Sequence, residues 1–230
     1  MIGKVNFTST VPPRDPWLVI DCNNLAFRAF ATTGGLSHDG VPTGTAFGFL
    51  KQVKSLRDSF LTDKLVFCFD VGISKRRELS PEYKRRKPKS DHEEEALRMY
   101  RVELNSIRRD VLPSMGFRNV FWQPGYEADD VIASVVQNSL GDGEAMIVSS
   151  DHDLYQLLSA RVTMWLPHKK ESYNNFGLLR DYGVLPSYWP RILALAGCPG
   201  DGVEGVRGVG IKTACRYYSN ELNPKTKAGQ

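Results

Sequence analysis

The chain has 230 residues, 41% of them hydrophobic, and a formal net charge of +4. This length supports one sizeable α/β core with a small attached module. No apolar stretch is long enough to span a membrane and no signal-peptide pattern opens the chain, so we expect a cytoplasmic protein that is not secreted. Four scattered cysteines without a Cys-x-x-Cys pair argue against a disulfide framework and against a zinc site.

Five short apolar runs predict buried strands, at residues 17–21, 64–70, 118–122, 145–149 and 162–166. Helical patterns separate them, and polar residues mark where these helices begin. The predicted starts are Leu25 with Asn23 and Asn24 as caps, Thr43, Asp91 with Glu94 as its capping-box partner, and the Glu127 segment. Strands alternating with helices predict an α/β fold with a mostly parallel central sheet flanked by helices.

The chain divides into four predicted parts. Residues 1–15 and 220–230 are expected to be tails. Residues 16–174 form the α/β domain, which contains a strongly basic segment at about 72–95. Residues 175–219 are helical and rich in glycine, and they are predicted to form a small appended module.

Eight carboxylates are expected to meet at one edge of the sheet. Three of them stand at or just past the carboxyl end of an apolar run, where open α/β sheets build their sites. Clustered carboxylates repel one another and need counter-cations, and hard cations such as Mg²⁺ or Mn²⁺ match oxygen ligands. We therefore expect two such ions, bound by Asp21, Asp70, Glu127, Asp129, Asp130, Asp151, Asp153 and Asp201. Simple capping of the helix near Glu127 is the alternative interpretation for three of these acids.

His152 lies between two of these acids. Because hard cations prefer oxygen, we favour a place beside the site over a role as a metal ligand. No Ser-His-Asp or Cys-His arrangement indicates covalent catalysis.

Two further segments are suited to phosphate. Tyr83 and Lys84 lie in the basic segment, and an aromatic ring beside a cation is how single-stranded nucleic acid is gripped. The run from Gly205 to Ala214 has glycines that let backbone N–H groups approach phosphate, and Lys212 adds charge. The sequence therefore predicts a metal-dependent enzyme of phosphate chemistry, with a nuclease favoured.

Motifs in the same order resemble the flap endonuclease and 5′→3′ exonuclease family, which includes the nuclease domain of bacterial DNA polymerase I and small phage and bacterial 5′ nucleases. The resemblance covers about residues 17–219. It is carried by Asp21 to Arg28, Phe69-Asp70, the arch motif from Arg76 to Lys87, Glu127 to Asp130, Ser150 to Asp153, and Asp201 to Ala214.

This resemblance implies a helical arch, a C-terminal helix-three-turn-helix module and hydrolysis of DNA at 5′ ends or 5′ flaps, in replication or repair. Asp21, Asp70, Glu127, Asp129 and Asp151 match ligands of a first metal, and Asp130, Asp153 and Asp201 belong with a second. The implied catalytic residues are Lys84, Arg76, Asp129 and Asp151. The implied DNA-binding residues are Arg28, Tyr83, Lys84, Arg86, Lys87, Gly205, Gly208, Gly210, Lys212 and Thr213.

The resemblance also implies partners and setting. The expected partner is DNA with a 5′ flap, a 5′ overhang or a junction between single strand and duplex. A K⁺ ion at the hairpin is expected, together with a monomeric state and a bacterial or phage-infected cell. No membrane association is expected.

Two departures from the family pattern affect these expectations. Cys198 stands where the family has a second-site Asp, and a thiol is a poor ligand for Mg²⁺, so a weaker second metal site is expected. Lys87 replaces an Arg, which removes a bidentate phosphate contact. Cys198 therefore leaves open a DNA-binding protein with weak catalysis. A PIN-type RNase is a further alternative because its acidic sites are similar, but PIN proteins usually lack the arch segment and the hairpin.

Overall fold

The computed structural model describes residues 15–85 and 90–222. Eight strands lie in the order β1 Trp17–Asp21, β2 Ser37–His38, β3 Val41–Pro42, β4 Leu65–Phe69, β5 Val120–Trp122, β6 Ala145–Val148, β7 Val162–Leu166 and β8 Glu171–Tyr173. Nine α-helices alternate with them, α1 Cys22–Thr33, α2 Gly44–Phe60, α3 Arg76–Leu79, α4 Asp91–Ser106, α5 Leu112–Ser114, α6 Ala128–Asn138, α7 Asn175–Tyr182, α8 Trp189–Ala196 and α9 Ile211–Tyr218, within the described ranges. A π-helix at Ile107–Val111 joins α4 to α5.

The central sheet has six strands in the order β5-β4-β1-β6-β7-β8. All neighbouring pairs are parallel except β7 and β8. The mixed α/β fold with a mostly parallel sheet is therefore confirmed, and each of the five predicted strands has a counterpart. The sequence prediction missed β8, because three residues after a tight connection are too short to give a period. The short β2–β3 pair was missed for the same reason.

The strands are apolar on both faces because helices cover both. Leu18 and Ile20 of β1 pack into one cluster with α1, α2 and α4. Val19, between them, points into a second cluster with α6, and that cluster continues into Trp189 of α8 and Ala214 of α9. One continuous core therefore joins the sheet to the C-terminal helices across the predicted boundary at residue 174.

The predicted caps of two helices were wrong. Asp21 is the N-cap of α1 and accepts a hydrogen bond from the Asn24 backbone N–H, so the helix starts three residues before Leu25. Ser90 is the N-cap of α4 and accepts from the Glu93 N–H, whereas Asp91 is the first helical residue. Both errors are local, because a carboxylate or hydroxyl one to three residues earlier competes for the same free N–H groups.

No helix in the described residues is long and apolar enough to cross a membrane.

Candidate active site

Asp21 lies at the centre of the carboxyl edge of the sheet, between β4 and β6. Its side chain is 6% exposed. One oxygen accepts from the Asn24 N–H at 3.0 Å, and the other accepts from Ser149 Oγ at 2.7 Å. Burial raises the pKa of Asp21 to about 6, despite these bonds, and the charges of Asp70 and Asp151 act in the same direction.

Asn23 and Asn24 hold the neighbouring strand ends in place. Asn23 Oδ1 accepts from the Asp70 N–H at 3.0 Å, and Asn24 Oδ1 accepts from the Ser150 N–H at 3.3 Å. The two amides therefore fix the loops after β4 and β6, which carry predicted metal ligands. They do not cap α1 with their side chains as the sequence suggested.

The N-terminus of α6 brings in the next carboxylates. Asp70 accepts a hydrogen bond from the Ala128 N–H. Glu127 is the N-cap of α6 and forms a reciprocal capping box with Asp130. Both oxygens of Asp130 also accept from the guanidinium of Arg76, at 2.7 and 3.0 Å. The capping interpretation therefore applies to Glu127 and Asp130 in this structure, whatever further role they have.

Glu127 is surrounded by donors. Its Oε2 accepts from Lys84 Nζ at 2.8 Å and from the Tyr83 hydroxyl at 3.0 Å. Arg76 Nη1 lies 3.3 Å from the same oxygen. Burial would raise the pKa of Glu127, but the hydrogen bond and charge of Lys84, with Tyr83 and Arg76, outweigh it and lower the pKa. Glu127 is therefore held ionised by the basic segment.

Asp129 and Asp153 are much less compensated. Burial raises the pKa of Asp129 to about 8, and the charges of Asp151 and Asp21 add to this rise. Burial likewise raises the pKa of Asp153 to about 6, followed by the charges of Asp151 and Asp201. Asp151 caps the short helical turn after β6 and accepts from the Asp153 N–H at 2.9 Å. Carboxyl groups therefore crowd around Asp151, and a proton kept by Asp129 relieves part of their repulsion.

The structure brings all eight predicted acids into one electrostatically coupled group at this edge. In residues 15–85 and 90–222, however, no three His, Cys, Asp or Glu side chains are already arranged to hold one ion. The donor chemistry fits a hard cation, because the group consists of carboxylates whose repulsion is only partly neutralised. Ligation would require these side chains to reorient from their present hydrogen bonds.

Cys198 is next to this group. It is partly buried, and burial raises the pKa of its thiol, as do the charges of Asp153, Asp201 and Asp151. Its backbone pairs with Val203, so the side chain is held at the turn that carries Asp201. The thiol therefore stays protonated beside the acids, and it is a poorer ligand for a hard cation than a carboxylate oxygen would be.

The described part of the basic segment packs against both the acids and the C-terminal turn. The backbone N–H of Lys84 donates to the Asp201 carbonyl at 2.8 Å, and Lys84 has a left-handed backbone with φ 49°. A Cβ on Gly202 would lie 2.7 Å from the Glu82 carbonyl oxygen, so this approach requires glycine. Partial burial lowers the pKa of Lys84, but Glu127 more than offsets it and raises that pKa.

The surroundings of Tyr83 differ from those that its predicted role in gripping a base requires. Its side chain is 9% exposed and its hydroxyl is committed to Glu127. The ring is therefore not available to stack on a base in this conformation, because it fills the space between the segment and α6. Arg86 and Lys87 lie outside the described residues.

The predicted hairpin glycines differ in their surroundings. A Cβ on Gly205 would lie 2.3 Å from the Ala196 carbonyl carbon, so Gly205 allows the loop to pack on α8. A Cβ on Gly208 or Gly210 would meet nothing within 4 Å. Gly210 is the N-cap of α9, and Lys212 and Thr213 follow in its first turn. The open part of this loop is therefore at Gly208 and Gly210, and Gly205 has a packing role.

Arg28 lines a cavity of about 560 Å³ beside Asp151, with Asn24, Phe27, Ser150, His152 and His168. Its Nη2 donates to the Pro167 carbonyl at 3.2 Å. His168 Nδ1 lies 3.2 Å from Ser150 Oγ. His168 and Ser149 also lie at this edge and were not predicted as site residues. Ser149 directly follows the β6 strand, which was an available signal, but nothing in the sequence relates His168 to this edge.

A family model described as "5′-3′ exonuclease, N-terminal resolvase-like domain" matches residues 16–183, so the chain belongs to this family and the resemblance is confirmed. A 5′-3′ exonuclease of Aquifex aeolicus is 33% identical over 199 residues, which cover 85% of this chain and 66% of the relative. A thermostable DNA polymerase I of Thermus thermophilus is 35% identical over 214 residues, covering 89% of this chain and 24% of the relative. The chain thus spans about a quarter of the length of the DNA polymerase I relatives.

Solved structures share the fold. The D15 protein of bacteriophage T5, co-crystallised with metal ions, matches with a TM-score of 0.76 and 23% identity, over 93% of this chain and 82% of that protein. Human GEN1 in complex with Holliday junction DNA matches with a TM-score of 0.55 and 14% identity, over 91% of this chain and 51% of GEN1.

Proposed function

We propose that this chain is a structure-selective, divalent-metal-dependent nuclease that hydrolyses DNA phosphodiesters at 5′ ends or 5′ flaps during replication or repair. The observation that carries the proposal is the convergence of Asp21, Asp70, Asp129 and Asp151 from four separate strand ends and helix starts into one group of coupled carboxylates. Family membership supports the same reaction, and its relatives are named as 5′-3′ exonuclease and DNA polymerase I.

Two divalent ions, Mg²⁺ or Mn²⁺, would be held by two subsets of the acids. Asp21, Asp70, Glu127, Asp129 and Asp151 would serve the first, and Asp130, Asp153 and Asp201 the second. When bound, the ions would supply an activated water and stabilise charge on the attacking and leaving oxygens. The raised pKa values of Asp129 and Asp21 support this assignment. They come first from burial and then from neighbouring carboxylates, and a bound cation would stabilise the charged form of both groups.

The cations of the basic segment would position the substrate. Lys84 Nζ lies over the same edge as the acids and bonds to Glu127 in the present conformation. Release of that bond would turn the ammonium group to the scissile phosphate, where it would balance developing charge. Arg76 would stay beside Glu127 and Asp130 and balance part of their charge while Lys84 moves. Arg86 and Lys87 would extend this contact along a single strand as part of a helical arch.

The C-terminal module would hold duplex DNA as a helix-three-turn-helix element. α8 and α9 pack on each other across the loop that contains Gly208 and Gly210. The open backbone N–H groups of this loop, with Lys212 and Thr213 at the start of α9, would donate to phosphate oxygens, and a K⁺ ion would bind in the same loop. Arg28 would contact the strand from the other side of the acids. A monomer suffices for this arrangement, because one chain supplies every residue named.

Incubation with a labelled 5′-flap DNA tests the function. The wild-type chain is expected to cleave it with Mg²⁺ or Mn²⁺ and to leave it intact in EDTA. Asp151→Asn should abolish cleavage and preserve binding, whereas Asp142→Asn, on the distant turn before β6, should behave as wild type. A folded wild-type chain that cleaves at no metal concentration would contradict the proposal.

Cys198 favours a second candidate, a DNA-binding protein of this fold with weak catalysis. A neutral thiol beside Asp153 and Asp201 would weaken the second metal site. Binding of the flap substrate without cleavage would select this alternative. A matched flap with an RNA 5′ strand tests the PIN-type RNase alternative, which requires cleavage of the RNA form over the DNA form.

A further inference from the structure

An aromatic groove lies on the edge strand β5, and it shares Asp130 with the group of acids. Phe121, Trp122 and Tyr126 line it, and each is between 43% and 44% exposed. The groove measures about 450 Å³ and continues along α6 past Asp130, Val131, Ser134, Val135 and Ser139. Three large rings grouped on an open sheet edge form more apolar surface than scattered exposed side chains do, which indicates a binding surface.

Two of these rings are already paired with cations. Lys75 Nζ lies 4.7 Å from the centre of the Tyr126 ring, and the Arg108 guanidinium carbon lies 5.0 Å from the Trp122 ring. The acid in the groove, Asp130, is neutralised by the bidentate contact with Arg76. The groove therefore combines aromatic faces with two cations that lie against its rings, which suits an anionic aromatic ligand better than an apolar peptide.

Arg108 supplies an independent observation. Its side chain is 4% exposed, its Nε is buried without a hydrogen-bond partner, and its Nη2 donates only to the neutral Asn105. No ion pair formed within residues 15–85 and 90–222 includes it. A buried guanidinium without a carboxylate is costly, so an external anion would relieve it. Arg108 lies in the π-helix Ile107–Val111, a kind of distortion often found at functional sites.

The groove is connected to the candidate active site by backbone and side-chain contacts. The Lys75 N–H donates to the Gly125 carbonyl at 2.9 Å, and a Cβ on Gly125 would lie 2.9 Å from the Lys75 side chain. Arg76, the next residue, bonds to Asp130 and contacts Glu127. A ligand in the groove would therefore lie close to Arg76, the cation that contacts the predicted metal ligands Glu127 and Asp130.

We propose that this groove binds the unpaired strand of the substrate, with bases stacked on Trp122, Phe121 and Tyr126 and phosphates near the exposed Lys75. The buried charge of Arg108, against the Trp122 ring, would favour the anionic ligand from below the surface. This inference deepens the proposed nuclease function, since it names the path of a single strand beyond the scissile phosphate. Base–aromatic stacking tolerates any sequence, so the groove would increase the affinity for a single strand without adding base specificity.

Fluorescence anisotropy with a labelled oligothymidylate in EDTA tests the groove without catalysis. Trp122→Ala should weaken binding by roughly tenfold, the usual size of one lost stacking contact, and Trp122→Phe should restore most of it. Phe47→Ala, which removes another exposed ring on α2, should leave the affinity unchanged. Lys75→Met, at an exposed cation beside the Tyr126 ring, should lower the slope of log affinity against log salt by about one.

Cleavage assays separate this inference from the proposed function. For a substrate with a long unpaired arm, Trp122→Ala should raise KM and leave kcat unchanged, while a substrate without an arm should be cut as by wild type. Loss of all cleavage in the wild type, with Trp122-dependent oligonucleotide binding intact, would overturn the nuclease proposal and retain the groove.

Unchanged oligonucleotide affinity in a folded Trp122→Ala chain, checked by circular dichroism, would overturn the groove proposal. A change in self-association by sedimentation without a change in affinity would also overturn it, because the groove would then be a protein–protein surface. Phe121→Ala serves as a second variant if Trp122→Ala does not fold.

Discussion

Lys84 Nζ lies 2.8 Å from Oε2 of Glu127, so the cation proposed to position the phosphate forms an ion pair with one of the acids proposed to bind metal. In Lys84→Met the charge is removed and most of the aliphatic stem is kept. Cleavage of a 5′-flap DNA is expected to fall by about a hundredfold, the usual cost of losing one charge-stabilising donor. Duplex affinity should change little.

Single-turnover cleavage and a duplex-binding titration measure the two effects of Lys84→Met. Lys54→Met is the matched control, because Lys54 forms only an exposed helix pair with Asp58. An equal loss of cleavage and duplex binding would contradict a role at the scissile phosphate.

Asp129 should make stability depend on pH. Its pKa in the folded chain is about 8, above the ordinary value of 3.8. The folded state therefore keeps a proton that the unfolded state releases, and stability is lost as the pH rises through this window. In EDTA, the Tm of the wild type should fall more between about pH 5 and pH 8 than the Tm of Asp129→Asn.

Added Mg²⁺ should reduce this fall in the wild type, because the ion compensates the charge that the proton otherwise cancels. Thermal melts at the two pH values, with EDTA or Mg²⁺, provide the measurement. Parallel pH dependence in the wild type and Asp129→Asn would show that Asp129 is not the group responsible.

Strand ends were the part of the site that could be predicted from sequence. Asp21 and Asp70 end or directly follow uninterrupted apolar runs, and parallel strands bring their carboxyl ends to one edge whatever the loops do. The contacts of Asn23 and Ser149 could not be predicted in the same way. Their hydrogen bonds reach Asp70 and Asp21 across strands, and they depend on sheet order, which periodicity does not give.

Tyr83 and Gly205 illustrate a second limit. Both belong to motifs associated with nucleic acid, yet Tyr83 is buried against Glu127 and Gly205 packs on Ala196. A motif records which residue types occur together, whereas the tertiary contacts decide which of them face solvent. Asp130 shows the same ambiguity, since a capping residue and a metal ligand have one sequence signature.

Cys198→Asp should strengthen the second metal site. The replacement puts a carboxylate beside Asp153 and Asp201, where the protonated thiol now lies. The Mg²⁺ concentration for half-maximal cleavage is expected to fall by several-fold, because an oxygen ligand replaces a poor one. Cys198→Ser controls for size and should leave that concentration close to the wild-type value. Overlapping titrations for all three proteins would mean that this position does not limit metal binding.

Substitutions of two glycines in the C-terminal loop should distinguish a role in packing from a role in phosphate contact. Gly205→Ala puts a Cβ against the Ala196 backbone and should destabilise the fold by about 1–3 kcal/mol, the range for overpacking. Gly210→Ala has open space and ordinary φ, so the expected cost is only that of a poorer N-cap on α9, about 1 kcal/mol or less.

Urea denaturation and duplex binding distinguish these two variants. Gly210→Ala is expected to weaken duplex binding, because its methyl group would hold phosphate away from the backbone N–H groups. Wild-type duplex affinity in Gly210→Ala would argue against phosphate contact at the start of α9.

The indole N–H of Trp189 donates to the His152 carbonyl at 2.8 Å, next to Asp151, and the ring is fully buried. The turn that carries Asp151 is thus supported by α8, which begins more than thirty residues later in the chain. Chimaeras that exchange the C-terminal helices between relatives would have to exchange Trp189 together with the turn at His152 that accepts its hydrogen bond. Otherwise, a graft intended to alter duplex grip would tilt the turn that carries Asp151.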